Sequence, residues 1–173
     1  MNMKRLIAFV CLMTAVLCGL QAQVKEDPNK IVKDRMDNMR SKLKLTSTTE
    51  QNAFWTAYEQ YLRNEVKAFE TYRNNLAKRG IKLNAPGQNK EVIAKLSDSQ
   101  LTYLHDQKFE LRKNLLNLES AFYKKIKGIL TPRHVHDYLN IEETYKRELA
   151  NKKKAAAAEE KPATPVNAGK KRR

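Results

Sequence analysis

Apolar residues recur at helical spacing along four segments of this chain. Between residues 101 and 129 most steps from one apolar residue to the next are three, four or seven, which places them on one face of a long helix. They are Leu101, Leu104, Leu111, Leu115, Leu118, Phe122 and Ile129. The same spacing is found at 31–43, 55–76 and 135–149. The pattern predicts four helices, at 28–43, 47–79, 98–128 and 132–154.

Each predicted helix follows a start signal. Asp27-Pro28 precedes the first, and a leucine followed by a hydroxyl residue precedes the others, as Leu45-Thr46, Leu96-Ser97 and Leu130-Thr131. Gln100 lies three residues after Ser97, which is the spacing of a capping box, and Leu96 is placed to contact Leu101 across this start. These signals support the predicted helix boundaries.

The segment from Ile129 to Val135 is a corner between the last two predicted helices. Pro132 has no backbone N–H, so it ends a continuing helix but suits the first position of a new one. Thr131 is expected to cap that helix with its hydroxyl, and Leu130 to pack against Val135. Gly80 is the expected end of the second helix.

These elements predict an all-α fold in which two of the four helices are long. A helix of about 32 residues at 47–79 would measure about 48 Å. The connection at 81–95 contains the turn cluster Asn84-Ala85-Pro86-Gly87 and a predicted helical turn at 91–96.

The first 23 residues have the pattern of a secretory signal peptide. A basic start, Met1–Arg5, precedes an apolar or small run at 6–20, and cleavage is expected after Ala22 or Gln23. The run is shorter than the roughly 20 residues of a membrane span, and an uncleaved anchor is the alternative. Both cysteines lie in this segment, so the mature chain would have no disulfide and no reactive thiol.

The chain is strongly basic, with a formal net charge of +15. Loss of Lys4 and Arg5 with the signal peptide would leave +13, two fewer, which favours acidic partners. We expect a helical domain at 24–150 and a basic, mostly disordered tail at 151–173. The tail has eight Lys or Arg against two Glu. Its alternative role is a tether for an anionic partner.

The sequence predicts neither an enzyme nor a cofactor site. It has no glycine-rich phosphate loop and no nucleophile elbow. His134 and His136 are two residues apart, about 200° around a helix, so one helix cannot present both to one metal. Metal ligation across subunits remains an alternative. Three glutamates of the last helix are expected to form solvated ion pairs with its lysines: Glu142, Glu143 and Glu148.

Two helices carry residues suited to binding apolar segments of other proteins. These candidates are Met36, Met39, Phe54, Trp55, Tyr58 and Tyr61. Packing in the core is the alternative for each of them, because stripes and aromatic residues commonly fill cores. Candidates for binding acidic groups are Lys42, Lys44, Arg63, Lys67, Lys108, Arg112 and Lys113.

The helix starts resemble the paired leucine-threonine motifs of the Spy/CpxP family of periplasmic proteins. The resemblance lies in the segment Leu45–Gln51 and in Leu130-Thr131-Pro132, and it extends over Pro28–Lys152. It implies a thin, cradle-shaped, antiparallel all-helical homodimer in the periplasm. Gln51 comes later than in the shortest form of the motif, and Pro132 is followed by Arg-His-Val-His rather than by a glutamine.

Members of that family act as ATP-independent chaperones or as sensors in envelope stress responses, and some bind metals. By this resemblance we expect a holdase chaperone or stress adaptor that binds unfolded envelope proteins. One alternative is a regulatory module that binds a membrane sensor or a sigma/anti-sigma system. Two further alternatives are a metal sensor and a cationic protein that binds nucleic acid or an envelope polyanion through its tail. We expect no specific nucleic-acid partner.

Overall fold

The computed structural model describes residues 27–83 and 89–159, and it is helical almost throughout. Its helices are α1 Pro28–Lys42, α2 Thr48–Lys78, α3 Asn89–Ala94, α4 Asp98–Lys127 and α5 Pro132–Glu159. The all-α prediction is confirmed, and each predicted segment forms a helix. The described residues form five helices rather than four, because a six-residue helix, α3, forms two residues earlier than the helical turn predicted at 91–96.

Three predictions fall on residues outside the described ranges. They are the signal peptide at 1–23, the turn cluster at 84–87 and the last 14 residues of the tail, at 160–173. Helix α5 begins as predicted and continues through Glu159, five residues beyond its predicted end at 154, so the first nine residues of the segment 151–173 are helical. Alanine, lysine and glutamate are strong helix formers, and they make up most of this extension. Within the described residues, no helix has an apolar stretch long enough to cross a membrane.

The start of α2 lies one residue later than the leucine-threonine motif predicts. The cap is Ser47, whose hydroxyl accepts a hydrogen bond from the Glu50 N–H, while Thr46 precedes it and is exposed. Leu45 is buried in the core, and the Gln51 side-chain amide donates to its carbonyl at 2.7 Å. Because Leu45 is held in this way, the chain stays extended as far as Ser47.

The capping box of α4 is confirmed. The Ser97 hydroxyl accepts from the Gln100 N–H at 3.3 Å, and the Gln100 side-chain oxygen accepts from the Ser97 N–H at 3.1 Å. Gln100 also donates from its amide nitrogen to the carbonyl of Arg79, at the end of α2. One side chain therefore caps α4 and joins it to α2.

The corner before α5 also forms as predicted. Pro132 is the first residue of the helix, and the Thr131 hydroxyl accepts from the His134 N–H at 3.3 Å. Leu130 and Val135 are both buried in the same apolar cluster. The proline and its neighbours thus turn the chain back onto the bundle.

The two longest helices, α2 and α4, pack against each other as an antiparallel hairpin. Near one end of the hairpin, the ring centroids of Phe54 and Phe122 lie 6.3 Å apart. Near the other end, the Asn75 side-chain amide donates to the Gln107 side-chain oxygen. Gly80 ends α2 with a φ of 72°, a left-handed conformation in which residues 80 and 81 donate back to the last turn.

The core consists of two apolar clusters along this hairpin. The first joins α1, the first half of α2, the second half of α4 and the start of α5. The second joins the rest of α2 to Ile81 and the first half of α4, and Ile93 of α3 packs against it. Helices α1 and α5 therefore cover one end of the hairpin, and among the described residues no helix covers much of the outer face of α4.

Candidate functional site

Five of the six apolar candidates lie in the core. Met36, Met39, Phe54, Tyr58 and Tyr61 are at most 8% exposed. Phe54 and Tyr58 stack with ring centroids 5.6 Å apart, and Tyr61 stacks on a ring of α4 at 4.6 Å. These side chains pack in the core, which was the alternative to client binding, because the rings of α2 face those of α4 and α5. They do not form the exposed surface that contact with clients requires.

The remaining candidates lie at or near the surface. Trp55 is half-buried, and the Arg40 guanidinium lies 5.1 Å from its ring centroid. Of the seven basic candidates, Lys108 is half-buried and six are exposed: Lys42, Lys44, Arg63, Lys67, Arg112 and Lys113. They are distributed over three parts of the fold rather than gathered in one patch. Arg63 is already paired with Glu59 at 2.7 Å.

A buried charge network joins three helices inside the first cluster. Arg35 of α1 donates to Glu142 of α5 at 2.9 Å and also contacts Glu65 of α2. Tyr58 donates to Glu142, and Tyr61 donates to Glu65 at 2.6 Å. The prediction that Glu142 is solvated is wrong. It lies 5% exposed, because α5 places it on the face that packs against α1 and α2.

Each carboxylate oxygen of this network has a partner. The Arg35 guanidinium accounts for one oxygen of Glu65 and one of Glu142, and a tyrosine hydroxyl accounts for the other oxygen of each. The Arg35 Nε has no hydrogen-bond partner among the described residues. With all four carboxylate oxygens paired, the network nevertheless fixes the positions of its members and offers little to a substrate. We therefore interpret it as the connection that holds α1 onto the bundle.

The surroundings of the network change the pKa values of its members. Burial acts to raise the pKa of Glu142, but Arg35, Lys146 and the hydrogen bond from Tyr58 outweigh it and lower this pKa below 4.5. Burial raises the pKa values of three tyrosines well above 10.0, and neighbouring carboxylates raise them further. These tyrosines are Tyr58, Tyr61 and Tyr138.

The free energy of unfolding should fall at both ends of the pH range. Below about pH 4.5 the unfolded state binds a proton that the folded Glu142 does not, so stability decreases as the pH falls toward the folded pKa. Above about pH 10 the unfolded chain ionises tyrosines that stay neutral when folded, which costs about 1.4 kcal/mol per pH unit for each. Urea titrations across the pH range measure both losses.

The alkaline loss can be assigned with two matched variants. Tyr138→Phe should make the decrease above pH 10 shallower, because one buried hydroxyl is absent. Tyr123→Phe removes the same atom from an exposed ring of α4 and should leave the decrease as it is. An equal effect of both substitutions would contradict the role given to the buried tyrosines.

An exposed apolar stripe runs along the outer face of α4. Phe109, Leu116 and Tyr123 are 64%, 54% and 41% exposed and follow one another at intervals of seven residues. Seven residues are nearly two helical turns, so the three side chains form a line of about 21 Å. We call these three residues the α4 stripe. Most other large apolar side chains of α4 face the core.

Positive charges border the α4 stripe. The Arg112 guanidinium lies 5.7 Å from the ring centroid of Phe109, and the Lys127 ammonium lies 5.6 Å from that of Tyr123. Lys113 and Lys124 are exposed on the same helix. Among the described residues none of these four cations has a carboxylate within 4.0 Å. They are therefore available to acidic groups of another molecule.

The sequence contains a signal for the α4 stripe that the apolar series from Leu101 to Ile129 leaves out. Residues 109, 116 and 123 form a seven-residue series with its own register, beside the inward series that includes Leu104 and Leu111.

The buried charge network also has a signal in the sequence. Arg35 lies three residues after Val32 and four before Met39, on the apolar face of α1.

The histidines have separate partners. His134 Nδ1 lies 3.3 Å from a Glu50 oxygen at the starts of α5 and α2, and His136 contacts Asn140 at 2.9 Å. Within the described ranges no three His, Cys, Asp or Glu side chains are grouped as metal ligands.

Comparisons of the chain with protein-family models, with curated proteins and with solved structures give no match in any of the three. Among the described residues, the α4 stripe with its bordering cations is the feature best suited to contact another molecule, because its apolar side chains are exposed and positive charges lie beside them.

Proposed function

We propose that this protein is an ATP-independent holdase chaperone or envelope-stress adaptor. On this proposal its signal peptide directs export to the periplasm and is then cleaved, and the mature protein binds unfolded or partly folded envelope proteins. The observation that carries the proposal is the α4 stripe. Exposed apolar side chains gathered on one face commonly mark a binding site, and here three large ones share a line.

The stripe has properties that suit weak, reversible binding. Burying one large apolar side chain fully contributes about 1.5–3 kcal/mol, and Phe109, Leu116 and Tyr123 are partly shielded already. The bordering cations attract acidic chains over distances comparable to the Debye length. Such a surface would capture many clients without enclosing any of them. The leucine-threonine helix starts, which resemble those of Spy/CpxP proteins, support the same proposal. By that resemblance the protein is also proposed to be a homodimer.

A regulatory binding module is the second candidate. The regular spacing of the α4 stripe favours it, since a heptad series suits one defined partner helix, as in a sensor protein. A regulator would have one saturable partner in an envelope extract, whereas a holdase would bind many non-native proteins. Capture from native and from heat-treated extracts would separate the two candidates.

We expect the chain purified from cells to suppress aggregation of a chemically unfolded acidic protein without ATP. Suppression should weaken between about 0.01 M and 1 M salt, because the Debye length shortens from about 30 Å to about 3 Å. Light scattering after dilution of the client measures this effect. A basic client of similar size is the control and should be suppressed less at low salt.

Two outcomes count against the proposal. If several-fold excess of the chain leaves client aggregation unchanged, the holdase function is wrong. If suppression is the same at both salt concentrations and for both clients, the role of the cations is wrong.

A further inference from the structure

We infer that the α4 stripe binds an acidic amphipathic α-helix that lies along α4. The juxtaposition that carries the inference is a line of apolar side chains at heptad spacing with unpaired cations on the same helix surface. This inference rests on the proposed function and specifies both the conformation and the charge of the segment that is bound.

The spacing of the three anchors selects a helix over an extended chain. Neighbouring anchors are seven residues apart, which is about 10.5 Å along α4. A partner helix presents apolar residues on one face at the same interval. An extended segment presents side chains of one face about 6.8 Å apart, and residues near a 10 Å spacing point to opposite faces. The spacing of Phe109, Leu116 and Tyr123 therefore matches the apolar face of a partner helix from the first anchor to the last.

The charges around the anchors select an acidic partner. Arg112 and Lys127 lie over the rings of Phe109 and Tyr123, at the two ends of the line. Lys113 and Lys124 add two exposed cations. Two exposed acids, Asp106 and Glu110, lie near the Phe109 end. The nearby Glu119 already interacts with Lys146 at 3.4 Å. Carboxylates beside the apolar face of a partner helix would therefore meet mainly positive charge.

A second copy of this chain is a less favourable occupant of the same face. It would bring the same four cations to the contact, on a chain whose formal net charge is +15. An antiparallel arrangement about Leu116 would place Lys127 of one copy near Asp106 of the other, which offsets only part of that repulsion. Charge complementarity thus favours an acidic helix over self-association.

Three synthetic peptides test the inference on the full chain by fluorescence anisotropy at low salt. The first has leucines at heptad positions flanked by glutamates. The second has lysine in place of each glutamate, and the third has the composition of the first with its leucines at alternating positions. We expect the first to bind at least about tenfold more tightly than either of the others, and to gain helical circular dichroism on binding.

Two variants of the chain locate the binding surface. Leu116→Glu places a carboxylate at the centre of the α4 stripe and should weaken binding of the first peptide by about tenfold or more. Asn114→Glu is the matched control, because it adds the same charge to α4 two residues away, about 200° around the helix. It should leave the affinity nearly unchanged. Both positions are exposed, so both variants should fold.

The outcomes separate this inference from the proposed function. Equal affinity for the three peptides, or no effect of Leu116→Glu, would overturn the inference. A dimer in sedimentation that Leu116→Glu dissociates, with no binding of the acidic peptide, would assign the face to a second copy and also overturn it. Preferential binding of the acidic helix, without suppression of client aggregation, would support the inference while the holdase function fails.

Discussion

Replacing Arg35 with methionine should lower the free energy of unfolding by about 3–5 kcal/mol, because Glu65 and Glu142 then lie buried without their cation. Both carboxylates are within contact of the guanidinium in the folded chain, and Glu142 is 5% exposed. Methionine keeps the length and apolar character of the stem, so the change isolates the charge. Urea denaturation monitored by circular dichroism measures the loss.

The control for this variant is a cation on the same helix, two residues before Arg35, whose side chain is exposed rather than buried. Lys33→Met removes an exposed cation that pairs with Asp37 at 2.6 Å and should change stability little. Adding Glu65→Gln and Glu142→Gln to the Arg35→Met chain should restore part of the loss, because neutral amides avoid the buried charges. A loss from Arg35→Met no larger than that from Lys33→Met would contradict the network.

Phe54→Ala should also destabilise the chain by about 3–5 kcal/mol, as truncation of a buried aromatic residue leaves a cavity. The Phe54 ring is fully buried and lies within 6.3 Å, centroid to centroid, of four other rings. Phe109→Ala makes the same chemical change at a ring that is 64% exposed, and we expect a stability change within about 0.5 kcal/mol.

The two phenylalanine variants should differ in their effect on suppression of client aggregation. Phe109→Ala should reduce suppression of client aggregation at a temperature where the chain stays folded. Phe54→Ala should retain suppression as long as it remains folded, since its side chain does not reach the surface. Loss of suppression by a folded Phe54→Ala chain, with full suppression by Phe109→Ala, would mean that the bundle opens and binds clients through its core.

Much of the helical structure can be predicted from local sequence. The series from Leu101 to Ile129 predicts α4, and Ser97 with Gln100 predicts its first residue, because a capping box involves atoms only three residues apart. Gly80 likewise predicts the end of α2. These features depend on neighbours along the chain, so a single sequence contains them.

The charged network depends on distant neighbours. Arg35 is 30 residues from Glu65 and 107 from Glu142, so its pairing follows only from the way α1, α2 and α5 pack. In the sequence alone, Glu142 looks like any glutamate on a lysine-rich helix. A charged residue on an apolar face is a hint of burial, but it does not identify the partner.

The proposed binding surface could be predicted only in part. Helix α4 has two heptad series, and the sequence shows both, but packing against α2 decides which one is buried. The same packing decides that Phe54 and Tyr58 are core residues while Phe109 is exposed. The exposure of most basic residues follows from the sequence, since lysine and arginine are seldom fully buried without a partner.

The most direct test of the proposed function is client aggregation in the presence of a chain with three serine substitutions in the α4 stripe, Phe109→Ser, Leu116→Ser and Tyr123→Ser. All three side chains are exposed, so the melting temperature should stay close to that of the unmodified chain. We predict that light scattering of the unfolded client then rises nearly as it does when no chain is added. Full suppression by this folded variant would contradict the assignment of client binding to the α4 stripe.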